Sequence, residues 1–330
     1  MHPLLRAAAE RQLGLFTAAD ARRAGYDHSE IRALCSSGAW IRLRRGVYVP
    51  AEAHTRAREQ GTGHQLECLA VLLELARPTA VLSHGSAARL WGLTVRRDLD
   101  PTIRLTDPHR WRRGQGYLMT QASLDAGDIA VRGPLRLTTV ARTLVDCARE
   151  WTLEDAVVAM DAALLAERTT PELLLRAGQA ARHRPGATAA ARAVGLADGR
   201  AESPLESRGR LRLIGSGFAP TALQVEIRVG SRLVAVVDAW FDDAAVAVEF
   251  DGKIKYTDPW RDPGRVLWEE KRREDELRAL DIRVARVVDA DLGAPWRQIE
   301  RRLGQWFTAP GPTRREFTAT PRERGVRRAG

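Results

Sequence analysis

Apolar positions in this chain recur every third or fourth residue in some stretches and alternate in others, and the changes of period divide it into elements. Residues 3–50 predict three short helices and a hairpin. "PLLRAAAERQ" is helix-prone. "TAADARRAG" offers Thr17 as N-cap, Asp20 in the capping-box position and Gly25 as a stop. "DHSEIRALCSSG" sets Ile31, Leu34 and Cys35 on one stripe and ends at Gly38, leaving Ser29, Arg32, Ala33 and Ser36 facing outward. "AWIRLRRGVYV" reads as two short strands about Arg45-Gly46. This is the order of a winged helix-turn-helix, which predicts Ser29 and Arg32 as groove readers and Arg42, Arg44 and Arg45 as contacts to phosphates or the minor groove. The plainer alternative is a small helical domain with a solvated charged face.

Residues 60–200 predict a mixed α/β middle. "HQLECLAVLLELA" is a helix with a wide apolar face, and "AVLSHGSAARLWGL" runs from a strand into a helix. "PTIRLTD" and "IAVRGPLRL" read as strands, and 139–149, 154–167 and 171–182 as helices. His84 and Ser86 do not complete a nucleophilic set, and helix capping accounts for Ser86. "RHRPGA" and "GLADGRAESP" place a boundary near residue 200.

Residues 202–308 predict a third domain. Ser203 caps a helix with Pro204 first and Glu206 as capping-box partner. A strand "LQVEIRV" precedes a hairpin over "RLVAVVDAWFDDAAVAVEFDG". A two-residue turn at Asp242-Asp243 would pair Phe241 with Ala244 and set Asp238 opposite Ala247. Glu249 then lies diagonal to Asp238 on the same face, at about 7–8 Å, with Asp251 continuing the row. Val237, Val246, Val248 and Phe250 would pack on the other face. A one-residue slip would separate the carboxylates. Converging carboxylates repel and lose hydration, and a hard divalent cation relieves both costs, so Mg²⁺ or Mn²⁺ is the expected cofactor. Such an ion beside ammonium groups suits phosphodiester hydrolysis. In the charged helix that follows, helical steps back from Leu277 put Glu274, Arg273 and Glu270 on the inward stripe. The tail 309–330 is rich in Pro, Gly and Arg and predicts disorder.

Charge sharpens this picture. Lys and Arg number 52 against 42 Asp and Glu over 330 residues. Residues 1–201 hold 28 basic and 21 acidic groups, residues 202–308 hold 18 and 19, and the tail holds 6 and 2. A basic front and tail predict DNA as a partner. Only three of the basic residues are lysines, Lys253, Lys255 and Lys271, all within 22 positions of Glu249. Lysine is a compact point charge with a tunable pKa, so the clustering points to a role arginine would not fill. The cysteines, Cys35, Cys68 and Cys147, stand singly and read as reduced. No apolar run reaches membrane-spanning length and no signal-peptide core opens the chain, so the expectation is a cytoplasmic protein without a membrane partner.

"LFTAADARRAG" followed by "WIRLRRGVYV" resembles the N-terminal winged-helix domain of AbiEi-type antitoxins, and the "SH-x-S-A-A-x-L-x-G" element of the middle is similar to one in the same proteins. The resemblance implies a regulator-like DNA contact and makes a toxin protein a candidate partner. Residues 202–292 resemble the PD-(D/E)XK nuclease superfamily, more narrowly endonuclease-like domains related to very-short-patch repair (Vsr) enzymes. The matching pieces are Glu206, Asp238, "EFDG" at 249–252 and "LWEEKRREDELRALDIRVARV". It implies Asp238, Glu249 and Asp251 as metal ligands and Glu206 as a further site residue. The superfamily's lysine two residues after the Glu is Asp251 here, which leaves Lys253 or Lys271 to stabilise charge.

The expected fold class is therefore an α+β or α/β multidomain chain. A winged helix at 1–52, an α/β middle at 60–200 and a restriction-endonuclease-like core at 202–308 precede the tail. The expected function is Mg²⁺-dependent endonucleolytic cleavage of DNA. The alternatives are a non-enzymatic antitoxin-like repressor whose nuclease fold only grips DNA or a partner, and a structure-selective repair nuclease.

Overall fold

A computed structural model of the chain describes residues 1–95, 98, 100–252, 263–309, 311–312 and 314–323. It divides into two compact units, Met1–Ala159 with Arg168–Gly195, and Met160–Glu167 with Leu196–Gly330. Among the described residues no helix is long and apolar enough to cross a membrane.

The first unit opens with α1 (Pro3–Glu10), β1 (Phe16–Thr17), α2 (Ala18–Arg23), α3 (His28–Ser36), β2 (Trp40–Arg44) and β3 (Val47–Pro50), with the strands in the order β1-β3-β2. Local chemistry sets these helix starts. Thr17 and Asp20 form a reciprocal capping box at α2, and Asp27 and Glu30 form a second at α3. Leu5, Phe16, Ile31 and Trp40 make the core, where Phe16 meets Trp40 edge-on with ring centres 4.7 Å apart.

The chain continues through α4 (Ala51–Glu59), α5 (Gly63–Leu75), β4 (Val81–Leu82), α6 (His84–Trp91), β5 (Ile103–Asp107), β6 (Arg112–Gly114), β7 (Tyr117–Gln121), β8 (Ile129–Arg132) and β9 (Leu135–Thr138). Helices α7 (Val140–Ala148), α8 (Leu153–Leu165), α9 (Pro171–Ala180) and α10 (Ala187–Leu196) follow. The six strands form one mixed sheet in the order β6-β7-β5-β4-β9-β8. Winged helix and middle share a core, since Leu15, Val47 and Val49 pack in one cluster with Leu66, Leu82, Leu105 and Leu137. Ser83, not Ser86, is the N-cap residue of α6, and Ser86 Oγ instead accepts the Arg104 amide at 2.8 Å. His84 is buried beside it. Desolvation holds its pKa down to about 4, so it is neutral at pH 7.

In the second unit α11 (Pro204–Gly215), β10 (Ala222–Val229), β11 (Arg232–Phe241), β12 (Val246–Asp251), α12 (Pro263–Ala279), β13 (Arg283–Val288), α13 (Trp296–Thr308) and β14 (Thr318–Pro321) build a sheet in the order β13-β12-β11-β10-β14. Strands β12 and β13 run parallel and the other pairs antiparallel. One cluster joins Val246, Val248 and Phe250 to Leu205 and Leu213 of α11 and to Trp296, Ile299 and Leu303 of α13. A second joins Val225, Val237, Trp240 and Ala247 to Leu277 of α12 and Phe317.

Two expectations change here. The hairpin turns through four residues, Asp242–Ala245, so Phe241 pairs with Val246, Trp240 with Ala247 and Ala239 with Val248. The shift from the expected register is two residues. Side chains alternate with period two, so Val246, Val248 and Phe250 keep their apolar face. Val237 does not join them and packs in the second cluster. The tail is partly ordered. Phe317 is buried edge-on against Trp240, and Thr318–Pro321 adds a fifth strand beside β10. A lone aromatic and a short Thr/Ala strand gain order by docking on a sheet edge that already exists.

Helix α11 lies so close to β12 that a Cβ on Gly209 would stand 1.9 Å from the Phe250 ring. Gly209→Ala should therefore destabilise the protein by about 1–3 kcal/mol, although Ala is the better helix former by about 1 kcal/mol. Urea unfolding checks the sign, and an unchanged or raised midpoint contradicts the close packing.

Candidate functional site

In the second unit three elements bring carboxylates together. Helix α11 supplies Glu206 and is anchored by Ser207 and Arg210, which donate to the buried Asp161 at 2.7 and 2.8 Å. Glu206 does not close a capping box onto Ser203. Its Oε2 accepts the Glu202 amide at 2.8 Å and the Gln224 side-chain Nε2 at 3.0 Å. The same Gln224 Nε2 donates to Asp238 Oδ1 at 3.1 Å, and Asp238 Oδ2 accepts the Phe250 amide at 2.7 Å. One step beyond the Ala239–Val248 pair, the observed register sets Asp238 directly across from Glu249 rather than diagonal to it.

Glu249 is buried. Its Oε2 accepts from Arg273 Nη2 at 3.0 Å and lies 3.7 Å from Arg286 Nε, while Oε1 is buried with no hydrogen-bond partner among the described residues. Asp251 is less buried, 3.9 Å from Arg286, and Glu274 pairs with the same arginine at 3.2 Å. The inward stripe of α12 thus delivers Arg273 and Glu274 to the site. Lys271 does not reach it. That residue is exposed on the other side of α12, near Trp268 and Asp275. Lys253 and Lys255 lie outside the described residues, as does the Glu270 side chain.

Burial sets the electrostatics. Desolvation, reinforced by the charge of Asp238, pushes Glu206 up to about 7. Desolvation also raises Glu249, against the opposing pull of Arg273 and Arg286. Among the described residues no group of three or more His, Cys, Asp and Glu side chains stands in metal-holding geometry. The donors fit a hard cation only as a pair, since the unsatisfied Glu249 Oε1 and the adjacent Asp238 carboxylate are the oxygens such an ion would use.

Gln224 is the residue the sequence reading overlooked. It is 7% exposed and holds a left-handed backbone, φ 51°, inside strand β10. A non-glycine residue in that conformation costs about 1–3 kcal/mol and persists where its surroundings demand it. Here the kink aims its amide between two carboxylates. A glutamine in "ALQVEIRV" carries no signal of this.

In the first unit, Ser29, Arg32, Ala33 and Ser36 are exposed on α3, and Arg42 and Arg45 are exposed on the wing. Ser29 Oγ donates to the cap residue Asp27 at 2.6 Å, so its hydroxyl hydrogen serves the helix start. Arg44 departs from expectation. Its guanidinium turns inward, donating to the Gln115 carbonyl and standing 3.8 Å from Glu67, with 14% of the side chain exposed. It fastens the wing to the middle and is not a free phosphate ligand.

Residues 3–51 match the family described as "Transcriptional regulator, AbiEi antitoxin". Over a longer span the chain is similar to two Mycobacterium tuberculosis proteins, the uncharacterized protein Rv2248 of strain H37Rv and the uncharacterized protein MT2308 of strain CDC 1551. Each is 28% identical over 256 residues, covering 78% of this chain and 88% of the relative.

Glu206 makes stability pH-dependent. Its folded pKa, about 7, exceeds the ordinary 4.5, so its contribution is fully present below pH 4.5 and is lost as pH rises through 7. Between pH 5 and 8 the wild type should lose unfolding free energy relative to Glu206→Gln, which has no such titration. Parallel denaturation midpoints for the two proteins across that range contradict the raised pKa.

Proposed function

We propose that this protein binds duplex DNA through the face formed by α3 and the β2–β3 wing, in the manner of a transcriptional regulator. The observation that carries the reading is the winged-helix order of α1 to β3 over the residues that match the regulator family. Arg32 stands on the outward face of α3 and Arg42 and Arg45 on the wing. With a single arginine on the helix, the affinity of this face comes mainly from phosphates, and it falls steeply with salt. The Arg32→Ala, Arg45→Ala double variant should bind a promoter-length duplex more weakly and lower the salt slope by about 2 in fluorescence anisotropy. Unchanged affinity and slope overturn this reading.

A second reading is favoured by one observation, the buried, unpartnered Glu249 Oε1 beside Asp238. We infer that these two residues hold Mg²⁺ or Mn²⁺ and that the second unit hydrolyses DNA phosphodiesters. The ion, when bound, would activate water and offset charge on the reacting phosphate. Glu206, near neutrality, can hold or release a proton beside Asp238, with Gln224 fixing the distance between them. Arg273 and Arg286 are cations in contact with Glu249, and Asp251 stands at the rim. Supercoiled plasmid and branched or mismatched duplexes incubated with Mn²⁺, Mg²⁺ or chelator provide the test. Metal-dependent nicking should fall at least ~100-fold in the Asp238→Ala, Glu249→Ala variant while DNA affinity persists. DNA binding without cleavage under every condition leaves the regulator reading alone.

A further inference from the structure

The edge of the middle sheet carries a basic strip that the winged-helix reading leaves unused. Five consecutive residues, His109, Arg110, Trp111, Arg112 and Arg113, are exposed where the chain enters β6. Trp111 shows 61% of its surface, although a large aromatic usually finds cover. No acidic residue occurs between Pro108 and Leu118. Arg112 lies over the Tyr117 ring at 5.9 Å, so the hairpin already uses one arginine to shield an aromatic of its own and leaves Trp111 uncovered.

The position of this strip is set by Arg44. Strands β6 and β7 pair Arg112 with Met119 and Gly114 with Tyr117, with Gln115 and Gly116 at the tip. The Arg44 guanidinium donates to the Gln115 carbonyl, and a Cβ on Gly116 would stand 3.3 Å from Arg44 Nη2. Gly116 has φ 67°, which favours glycine, and its bare Cα leaves room for the guanidinium. Arg44 belongs to β2, the strand that carries Arg42 and runs into Arg45. Wing and hairpin tip are therefore joined within one compact unit. At about 3.4 Å per strand residue, Trp111 lies roughly 14 Å from that junction, comparable to four base-pair steps of duplex.

We propose that the β6–β7 hairpin is a second DNA contact continuous with the wing. Arg110 and Arg113 neutralise backbone phosphates beyond the reach of the winged helix, and Trp111 lays its ring against the sugar edge or a base step of the minor groove. Charge selects the ligand, because a strip of exposed arginines with no acid within its own stretch of chain, and with the exposed Asp100 near Arg113 alone, complements a polyanion. The exposed ring fits a groove, where apolar side chains wedge against base steps. An acidic protein partner would engage the arginines equally well, so DNA affinity itself must decide. The inference rests on the DNA-binding reading of the winged helix and extends its footprint.

The test uses the full chain and a duplex longer than the winged-helix site, followed by anisotropy across salt and by hydroxyl-radical footprinting. Arg110→Ala with Arg113→Ala should lower affinity at least ~10-fold at about 0.1 M salt, reduce the salt slope by about 2, and shorten the footprint on one flank only. Trp111→Ala should weaken binding while leaving the salt slope unchanged, and Trp111→Phe should restore part of the loss. These side chains are exposed, and circular dichroism of each variant checks that it folds. The Arg32→Ala, Arg45→Ala variant separates the two ideas. If it loses affinity while the hairpin variants bind like the wild type with a full footprint, the second contact is overturned and the winged-helix reading stands. If it binds like the wild type, the winged-helix reading falls and takes this inference with it.

Discussion

The register of β11 on β12 is the constraint on which the second unit depends. The four-residue turn is pinned from several sides. Ala245 donates its amide to the Asp242 carbonyl and takes a left-handed φ of 47°, while its own carbonyl accepts the Arg283 amide at 3.1 Å. Arg283 Nη2 donates to the Ala244 carbonyl, and Trp240 Nε1 and Arg315 both bond Asp242. With the turn fixed, Val246, Val248 and Phe250 must enter the core shared with α11 and α13, and Glu249 must point away from it. Asp238 then comes level with Glu249. The contact of Phe250 with Gly209 draws α11 in and brings Glu206 to the same place.

Such an arrangement collects like charges at a cost in hydration and repulsion, and the chain answers with internal donors rather than exposure. Gln224 spans two carboxylates with one amide, the Phe250 backbone satisfies Asp238, and Arg273 and Arg286 face Glu249. The compensation is uneven. Glu206 is left with a pKa of about 7, and one oxygen of Glu249 is left with no donor among the described residues. A network that existed only for stability would gain by satisfying both, or by replacing them with apolar side chains. The uncompensated polar atoms at the meeting point of three elements are the observation on which the second proposed reading rests.

Much of this was legible where local chemistry decides the outcome. Thr17 with Asp20, the stops at Gly25 and Gly38, and the stripe of Ile31 and Leu34 specify the winged helix within a few residues of each other. The shared face of Asp238 and Glu249 was legible for a different reason, since it depends only on parity and survives a two-residue error in the turn. What escaped depends on distant partners. The left-handed Gln224 is dictated by Glu206 and Asp238, one of them 18 residues before it. The strand at Thr318–Pro321 exists because β10 offers an edge. Arg44 reads as a surface charge until Gln115, 71 residues later, takes it. Lys271 illustrates the opposite error: a residue type that suggested chemistry sits on the outward side of its helix, and an arginine two positions on makes the contact.

The same reasoning places the capacity for polyanion binding. Residues 202–308 hold nearly equal numbers of basic and acidic groups. Many of their arginines are already engaged, Arg210 with Asp161, Arg273 and Arg286 around Glu249, Arg232 and Arg272 with Glu276. A guanidinium held by a carboxylate releases few counterions when a phosphate approaches, so paired arginines add little to DNA affinity. Residues 1–201 carry an excess of positive charge, and their exposed arginines include Arg32 of α3, Arg42 and Arg45 of the wing, and Arg110, Arg112 and Arg113 of the hairpin that Arg44 fastens to it. The excess of positive charge is therefore a property of the first unit, whereas in the second these arginines are already held by carboxylates.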